Sequence, residues 1–254
     1  MRFGCCAGAE SAGQLAAAGF DYIELALAPI AALPQAEFDA LAGRLAGAQI
    51  NVEAFNIFFP GTLRLTGDNA DLAAAETYAA GAFARVARLG GKTIVFGSGG
   101  ARRVPEGFPM DKAFGQLVEM LRRIAPLAAQ HGITIAIEPL NRGECNIINS
   151  VAEGLALTRA VDRPAIRLLA DYYHMAVEHE APAILLEAAP YLQHVHFAKP
   201  EDRSFPAAVE EAWLPFYAHL KAAKYDLRLS IEGRTSDLAA DATRALPVLR
   251  QLCA

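Results

Sequence analysis

Four short strand-like runs in the second half of the chain each carry, at or near the end, a side chain that binds metal ions. They are TIAIE ending at Glu138, IRLLAD ending at Asp171, HVHF containing His196, and LRLSIE ending at Glu232. Because the carboxyl ends of parallel strands meet on one face of a barrel, we expect these four side chains to converge. Three carboxylates and one imidazole suit Mn²⁺, Mg²⁺ or Co²⁺ rather than a sulfur-bound structural zinc. The set predicts a divalent-metal enzyme that acts on a small, oxygen-rich substrate.

The alternation of side chains along each strand supports this convergence. In ITIAIE at 133–138 the isoleucines fall on one face and Thr, Ala and Glu138 on the other. LRLSIE places Glu232 in the same way, and HVHF puts His194 and His196 on one face. A single carboxylate at a strand end is more often a loop cap or an ion-pair partner, and a single buried histidine is more often a hydrogen-bonded core residue. Here four successive βα units each supply a metal-binding side chain at the same level of the barrel. This coincidence favours a metal site over separate structural roles for the four residues.

The elements that must position these residues alternate regularly along the chain. Eight strand candidates are RFGCC, DYIELAL, INVEAF, KTIVFG, ITIAIE, IRLLAD, HVHF and LRLSIE. The helical segments between and after them lie near residues 10–18, 35–46, 69–89, 111–130, 150–161, 180–188, 206–223 and 237–252. Eight strands alternating with eight helices predict an α/β fold, a (β/α)8 TIM barrel, as a single domain over residues 1–254.

Local signals mark helix starts and the loops of the catalytic face. Asp111 and Ser150 precede apolar helical runs and are predicted N-caps. The longest segments without a clear periodicity are 56–68 and 97–110, and both follow strand ends. In a barrel such loops lie on the catalytic face and are usually functional. The GSGG run at 97–100 is compatible with an anion-binding backbone or with a plain flexible loop.

Composition excludes several classes of protein. The 254 residues carry a formal net charge of −5 and lack a basic stripe, so we expect no nucleic-acid binding. No apolar run approaches the roughly 20 residues that span a bilayer, and MRFGCCAGAE does not have the apolar stretch of a signal peptide. The four cysteines show no zinc-type spacing and are expected to be reduced thiols, which predicts a cytoplasmic protein. Exposed helix faces leave a homo-oligomer open.

Four longer motifs carry a resemblance to a known family. They are IEPLNRGE at 137–144, LLADYYHM at 168–175, HVHFAKPEDR at 194–203 and SIEG at 230–233. With these motifs the chain resembles the xylose-isomerase-like TIM-barrel superfamily, in particular the sugar (phosphate) isomerase/epimerase group of the D-tagatose 3-epimerase type. The resemblance covers the whole chain in element order.

The resemblance implies roles for particular residues. Metal ligands would be Glu138, Asp171, His196 and Glu232, with Mn²⁺ as the expected ion and Mg²⁺ or Co²⁺ as alternatives. Glu138 and Glu232 would also act as acid and base on opposite faces of a sugar or sugar-derived substrate. Substrate oxygens near the reacting carbonyl would be bound by Glu144 and His174; Arg203 is a further predicted substrate contact, although it comes later after His196 than the arginine usual in this group. Lys199 departs from the pattern, because ketose 3-epimerases of this group usually carry a glutamate there.

The predicted reaction is C3 epimerisation of a ketose through a cis-enediolate. The alternatives are an aldose–ketose or hydroxypyruvate-type isomerase, although the latter have a glutamine in place of His196, and a dehydratase on the same scaffold. An endonuclease IV-type hydrolase is disfavoured, because it needs early histidines and the first histidine here is His131. A non-enzymatic metal-binding relative would not need both Glu138 and Glu232.

Residues around the predicted ligands have two readings each. Glu24 shares the inward parity of its strand, so it either supports the ligands or forms an interior salt bridge. His194 is expected to be a hydrogen-bonded support one layer below His196. Lys199, Arg203 and Arg234 suggest an anion site for a phosphate or carboxylate, with solvated surface charge as the alternative.

Overall fold

The computed structural model describes residues 1–254, and its centre is a closed barrel of eight parallel strands. Each strand pairs with its neighbours in chain order, and the first strand closes the barrel against the eighth. The strands are β1 (Arg2–Cys6), β2 (Tyr22–Ala26), β3 (Asn51–Asn56), β4 (Thr93–Phe96), β5 (Thr134–Ile137), β6 (Ile166–Asp171), β7 (Leu192–Phe197) and β8 (Arg228–Ile231). All eight predicted strands are therefore confirmed, and the fold is the predicted TIM barrel.

Helices connect the strands around the outside. They are α1 (Ala12–Ala18), α2 (Leu27–Ala32), α3 (Gln35–Ala46), α4 (Leu72–Arg88), α5 (Gly99–Arg102), α6 (Met110–Gln130), α7 (Val151–Val161), α8 (Tyr172–Val177), α9 (Ile184–Ala188), α10 (Leu214–Ala222) and α11 (Leu238–Leu252), with 3₁₀ turns at Ala9–Ser11, Ala189–Tyr191 and Glu211–Trp213. Eight of these match the predicted segments. The sequence did not predict α2, α5 and α8, because four to six residues are too few to show a helical period. The GSGG run is thus not a plain loop, since its last two glycines begin α5.

Capping explains where two of the helices begin. The Ser150 hydroxyl accepts a hydrogen bond of 3.1 Å from the backbone N–H of Glu153, as predicted for an N-cap. The prediction for Asp111 was wrong, because α6 begins at Met110 and Pro109 holds the cap position. Proline suits a helix start because it has no N–H that would need a partner. Asp111 lies in the first turn instead, where its charge interacts favourably with the helix dipole.

Buried side chains form two layers that follow the predicted parity. The large core of 69 buried residues lies between barrel and helices and contains Ile135 and Ile137. A separate cluster of Val95, Ala136 and Leu169 is not part of that core. Side chains of β5 therefore alternate between the outer layer and the lumen, and this alternation carries Glu138 to the inside.

The two ends of the lumen differ in chemistry. At the amino ends of the strands, Glu53 forms ion pairs with Arg2 and Arg228. At the carboxyl ends lie the predicted site residues. None of the helices is both long enough and apolar enough to cross a bilayer.

Candidate metal centre and active site

The four predicted ligands occupy equivalent places at the carboxyl ends of β5 to β8. Glu138 and Glu232 directly follow β5 and β8, Asp171 ends β6, and His196 is the penultimate residue of β7. The register of the barrel sets Asp171 beside His196 across the β6–β7 pair. The sequence pattern thus placed all four at one level of the barrel.

Three carboxylates and an imidazole approach one another at this level. One ligand atom from each of Glu138, Asp171, His174 and Glu232 lies within 4.8 Å of the others. His196 enters from below, with its Nδ1 3.0 Å from Glu138 Oε1 and 3.7 Å from Glu232 Oε2. The structure therefore brings both histidines to the carboxylates, and their hydrogen bonds distinguish the roles that they can take.

Backbone and carboxylate partners assign the proton positions on the two rings. The Asn141 backbone N–H donates to His174 Nδ1 over 3.1 Å, so the neutral ring carries its proton on Nε2. His196 Nε2 lies 3.0 Å from Glu24 Oε1, and a carboxylate accepts, so that nitrogen carries a proton. Nδ1 lies 3.0 Å from Glu138 Oε1, so without a cation it too carries a proton, and a cation bound at Nδ1 would take the place of that proton. The network favours His196 Nδ1 as a metal-binding atom and His174 Nε2 as a donor to substrate oxygen, and both roles stay predictions.

Glu24 lies beneath His196 and holds it in place. Its carboxylate is fully buried and accepts hydrogen bonds from His194 Nε2 (2.8 Å), His196 Nε2 (3.0 Å) and the Ser230 hydroxyl (2.6 Å). Burial alone would raise the pKa of Glu24, but the two histidines lower it well below its usual value. Burial likewise disfavours the charged form of His196, yet the Glu24 charge raises the pKa of His196 well above its ordinary value. Both sequence readings of Glu24 thus describe the same contact, a buried salt bridge that supports the site.

Glu232 is fixed from two sides by residues of distant loops. Asn56 Nδ2 donates to Oε1 over 2.7 Å, and Arg203 Nη2 donates to Oε2 over 2.5 Å. Arg203 Nη1 also reaches Glu144 Oε1 at 3.0 Å. Burial opposes the charge of Arg203, but the carboxylates of Glu232, Asp171 and Glu144 raise its pKa. Arg203 thus joins a predicted catalytic residue to a predicted substrate contact.

The backbone of Arg203 is in the left-handed region, with φ of +57°. A non-glycine residue rarely adopts this conformation, and such strain is found most often at functional sites. Backbone hydrogen bonds hold the turn, from Arg203 N to Lys199 O (2.9 Å) and from Arg234 N to Arg203 O (2.6 Å). The strained turn delivers the guanidinium between the loops after β7 and β8.

Glu138 depends on a glycine and on a buried arginine. A Cβ on Gly97 would lie 2.1 Å from Glu138 Oε2, so only glycine leaves room for the carboxylate. The fully buried Arg102 donates to the carbonyl oxygens of Glu138 (2.7 Å) and Phe96 (2.8 Å) and joins the ends of β4 and β5. Burial, together with the negative charge of Glu232, raises the pKa of Glu138. A raised pKa makes a carboxylate a stronger base, as a proton-transfer group requires.

A cavity of about 470 Å³ opens above these residues. Its polar lining residues are Ser98, Glu138, Glu144, Arg203, Glu232 and Arg234, and its apolar walls are Ile57, Phe59 and Leu140. Its volume lies within the range of small-molecule sites. The two glutamates are thus accessible to a ligand, whereas His196 is fully buried below them.

The donor set fits a divalent cation. Asp171 Oδ1 accepts from the Tyr173 backbone N–H (2.7 Å), which leaves Oδ2 buried and without a hydrogen-bond partner. Buried carboxylate oxygens are normally paired, so this unpaired oxygen, 3.6 Å from His174 Nε2 in a cluster that contains two further carboxylates, is a candidate ligand position. Oxygen-rich sites with one imidazole suit Mn²⁺ and related hard ions.

Other sequence predictions have mixed outcomes. Two of the three cations of the predicted anion site are paired with carboxylates. Arg203 pairs with Glu144 and Glu232, and Lys199 lies 3.9 Å from Glu210. Of the three, only the exposed Arg234 has a side chain without a partner. His194 supports Glu24 by a hydrogen bond, as expected.

Three contributors were not recognised from the sequence as parts of the site: Asn141, Arg102 and Cys6. Asn141 has a readable signal, since it stands between two predicted site residues in IEPLNRGE. Ligand atoms of Cys6, Glu24 and His196 lie within 4.8 Å of one another. No local pattern marks Arg102 or Cys6, because their contacts involve residues far away in the chain.

The closed barrel, the carboxylate–histidine cluster at its carboxyl end and the cavity above define a TIM-barrel protein with a candidate site for a hard cation. Residues 12–252 match the family model described as xylose isomerase-like TIM barrel, and the chain belongs to that family. The resemblance inferred from the motifs is thereby confirmed.

Curated relatives include named sugar epimerases. The chain is 32% identical over 119 residues to a probable ketose 3-epimerase of Synechocystis sp., covering 46% of this chain and 41% of the relative. It is 34% identical over 122 residues to an L-ribulose 3-epimerase of Methylomonas sp., covering 48% and 42%. These alignments span less than half of the relatives' length.

Solved structures of epimerases share the fold over nearly the whole chain. A D-psicose 3-epimerase crystallised in the presence of D-fructose superposes with a TM-score of 0.88 at 23% identity, covering 100% of this chain and 99% of the other. A D-allulose 3-epimerase from Methylomonas sp. in complex with D-allulose has a TM-score of 0.86 at 25% identity, covering 99% and 96%.

Proposed function

We propose that this protein is a divalent-metal-dependent sugar epimerase that inverts C3 of a ketose through a cis-enediolate. The observation that carries the proposal is the pair Glu138 and Glu232, which line one cavity and both approach Nδ1 of His196. The named ketose 3-epimerases among the relatives support the same reaction class.

The cation would be held by Glu138, Asp171, His196 and Glu232. Mn²⁺ is the ion that we expect, with Mg²⁺ or Co²⁺ as alternatives. When bound, it supplies positive charge that stabilises negative charge developing on two adjacent substrate oxygens.

The proton transfers belong to the two glutamates. One of them removes the proton from the carbon next to the carbonyl, and the other returns a proton to the opposite face, which inverts that carbon. His174 Nε2–H and Arg203 hold the substrate oxygens near the carbonyl, and Glu144 accepts a hydrogen bond from a substrate hydroxyl. Asn141 Nδ2, 3.1 Å from Glu144 Oε1, keeps that carboxylate in position.

The test is the reaction in D₂O with an accepted ketose and Mn²⁺, followed by NMR. C3 epimerisation places deuterium at C3 in both epimers. Label only at C1 or C2 would show an aldose–ketose isomerase, and a deoxy-keto product would show a dehydratase. Removal of the metal with EDTA should abolish turnover, and full activity of a demonstrably metal-free sample would contradict the proposal. The cytoplasmic location and a homo-oligomeric state stay predictions from the sequence.

A further inference from the structure

A second cavity, of about 660 Å³, lies between the long loops that follow β3 and β4. The first of these loops is held to α5 and α6 by backbone and side-chain hydrogen bonds. Leu65 N donates to Ala101 O (2.9 Å), and the Gln116 amide both donates to and accepts from the Gly67 backbone (2.9 and 2.8 Å). Gly67 has φ of +94°, and a Cβ there would lie 2.6 Å from the Pro105 ring. The cavity is therefore built by ordered loops with a specific close contact.

Polar side chains that line this cavity have no partner in the protein. Asp68, Asn69, Glu106 and Lys112 line it, and none of them makes a side-chain hydrogen bond or ion pair. All four are exposed to solvent, so each keeps its full capacity for a ligand. The second cavity is therefore lined by unpaired hydrogen-bond donors and acceptors and by both positive and negative side chains.

The second cavity adjoins the catalytic one. Arg64 lines the second cavity and donates to Gly100 O over 3.0 Å, and Gly100 lines the catalytic cavity. Arg103 also lines the second cavity, and it donates over 2.8 Å to the backbone oxygen of Glu144, a residue of the catalytic cavity. Two arginine side chains and two backbone carbonyls thus form the boundary between the cavities. A substrate that extended from the catalytic cavity across this boundary would reach the second cavity.

The lining favours a polyhydroxylated group over an anion. A phosphate or carboxylate would gain from Arg64, Arg103 and Lys112 but would be repelled by Asp68 and Glu106. Sugar hydroxyls both donate and accept, so they can use the carboxylates and the cations together. The half-buried ring of Phe108 adds an apolar surface for the C–H face of a sugar ring.

We propose that this cavity is a subsite for a second sugar ring, so that the substrate is a ketose glycosylated near C6 rather than a free ketose. The inference rests on the proposed function, because it assumes that a ketose occupies the catalytic cavity. The reacting C1–C3 end would lie at the glutamates, and the C6 end would carry the second ring across the boundary.

The experiment compares binding of three probes to the Mn²⁺-loaded protein by calorimetry: D-fructose, 6-O-glucosyl-D-fructose and D-fructose 6-phosphate. The glucosyl derivative should bind at least tenfold more tightly than fructose, since one hydrogen bond to a charged group contributes about tenfold or more in affinity. In the double variant Asp68→Ala/Lys112→Ala the ratio of the two affinities should fall to about one. Neither side chain has a partner in the protein, so the variant is expected to fold.

Arg44→Ala is the matched control, because Arg44 is exposed on α3 and makes no side-chain contact with another polar group. It should leave the affinity ratio unchanged. Equal affinities for fructose and its glucosyl derivative would overturn the subsite, and so would tighter binding of the phosphate ester alone. Proton exchange in D₂O tests the proposed function separately, so the two failures are distinguishable.

Discussion

Replacement of Glu24 by glutamine tests whether the layer beneath the metal centre sets its affinity. Glu24 Oε1 faces His196, and Oε2 faces both His194 and Ser230. Glutamine has nearly the same shape, but it has no charge and only one oxygen. Its oxygen can accept from one histidine, and its NH₂ group then faces the N–H of the other.

The expected magnitude follows from these contacts. At least one hydrogen bond to a charged group is lost, at about 1.5–3 kcal/mol, and a donor–donor contact replaces it. We therefore expect the metal-free protein to lose about 2–3 kcal/mol of unfolding free energy. The orientation of His196 is lost with the same bond, so the Kd for Mn²⁺ should rise about 10–100-fold. Loss of the Glu24 charge also lowers the pKa of His196, so protons compete less with Mn²⁺ for this side chain. Titrations of Mn²⁺ at two pH values separate the two effects.

The assay is calorimetric titration of Mn²⁺ together with thermal unfolding of the metal-free protein. Glu53→Gln is the matched control, because Glu53 is also a lumen glutamate with two basic partners, Arg2 and Arg228. It lies at the opposite end of the barrel, so it should lower stability without changing the Kd for Mn²⁺. A wild-type Kd for Mn²⁺ in Glu24→Gln would refute the reasoning. An equal rise of this Kd in Glu24→Gln and Glu53→Gln would also refute it.

Three further predictions concern catalysis, positioning and pH. Glu138→Gln and Glu232→Gln should each lower kcat by about 10²-fold or more, because general acid–base catalysis alone contributes 10²–10⁴-fold; near-normal turnover in either metal-loaded variant would contradict the assigned roles. Asn141→Ala should raise KM for the ketose with little change in Mn²⁺ affinity, because its amide contacts Glu144 and lies 2.9 Å from His174 Nδ1; a parallel loss of metal affinity would argue against a positioning role. Burial raises the pKa of Tyr78 to about 12, above its unfolded value, so its contribution to stability is complete below about pH 10 and is lost as the pH rises towards 12. Between pH 9 and 12, the unfolding free energy of Tyr78→Phe should fall less steeply with rising pH than that of the wild type.

The sequence by itself determined the barrel and the level of the site. Alternation in β5 predicted that Glu138 faces inward, and the separate lumen cluster around Ala136 agrees with that prediction. This succeeded because strand parity and strand order are local properties, and the closed parallel barrel then fixes which ends meet. The short helices α2, α5 and α8, after β2, β4 and β6, were not predicted from the sequence, because a helix of fewer than two turns has no clear hydrophobic period.

Tertiary structure alone decided how the predicted ligands are held and which nitrogen of each histidine faces the carboxylates. Glu24 and His196 are 172 positions apart, and Asn56 and Glu232 are 176 apart, yet each pair is joined by one hydrogen bond. Such pairs depend on rotamers and on the exact closure of the barrel, which no local pattern encodes. The sequence names the chemical groups because residue type limits what a side chain can bind. The fold assigns their protons and partners because these depend on distances of a few tenths of an ångström between residues far apart in the chain.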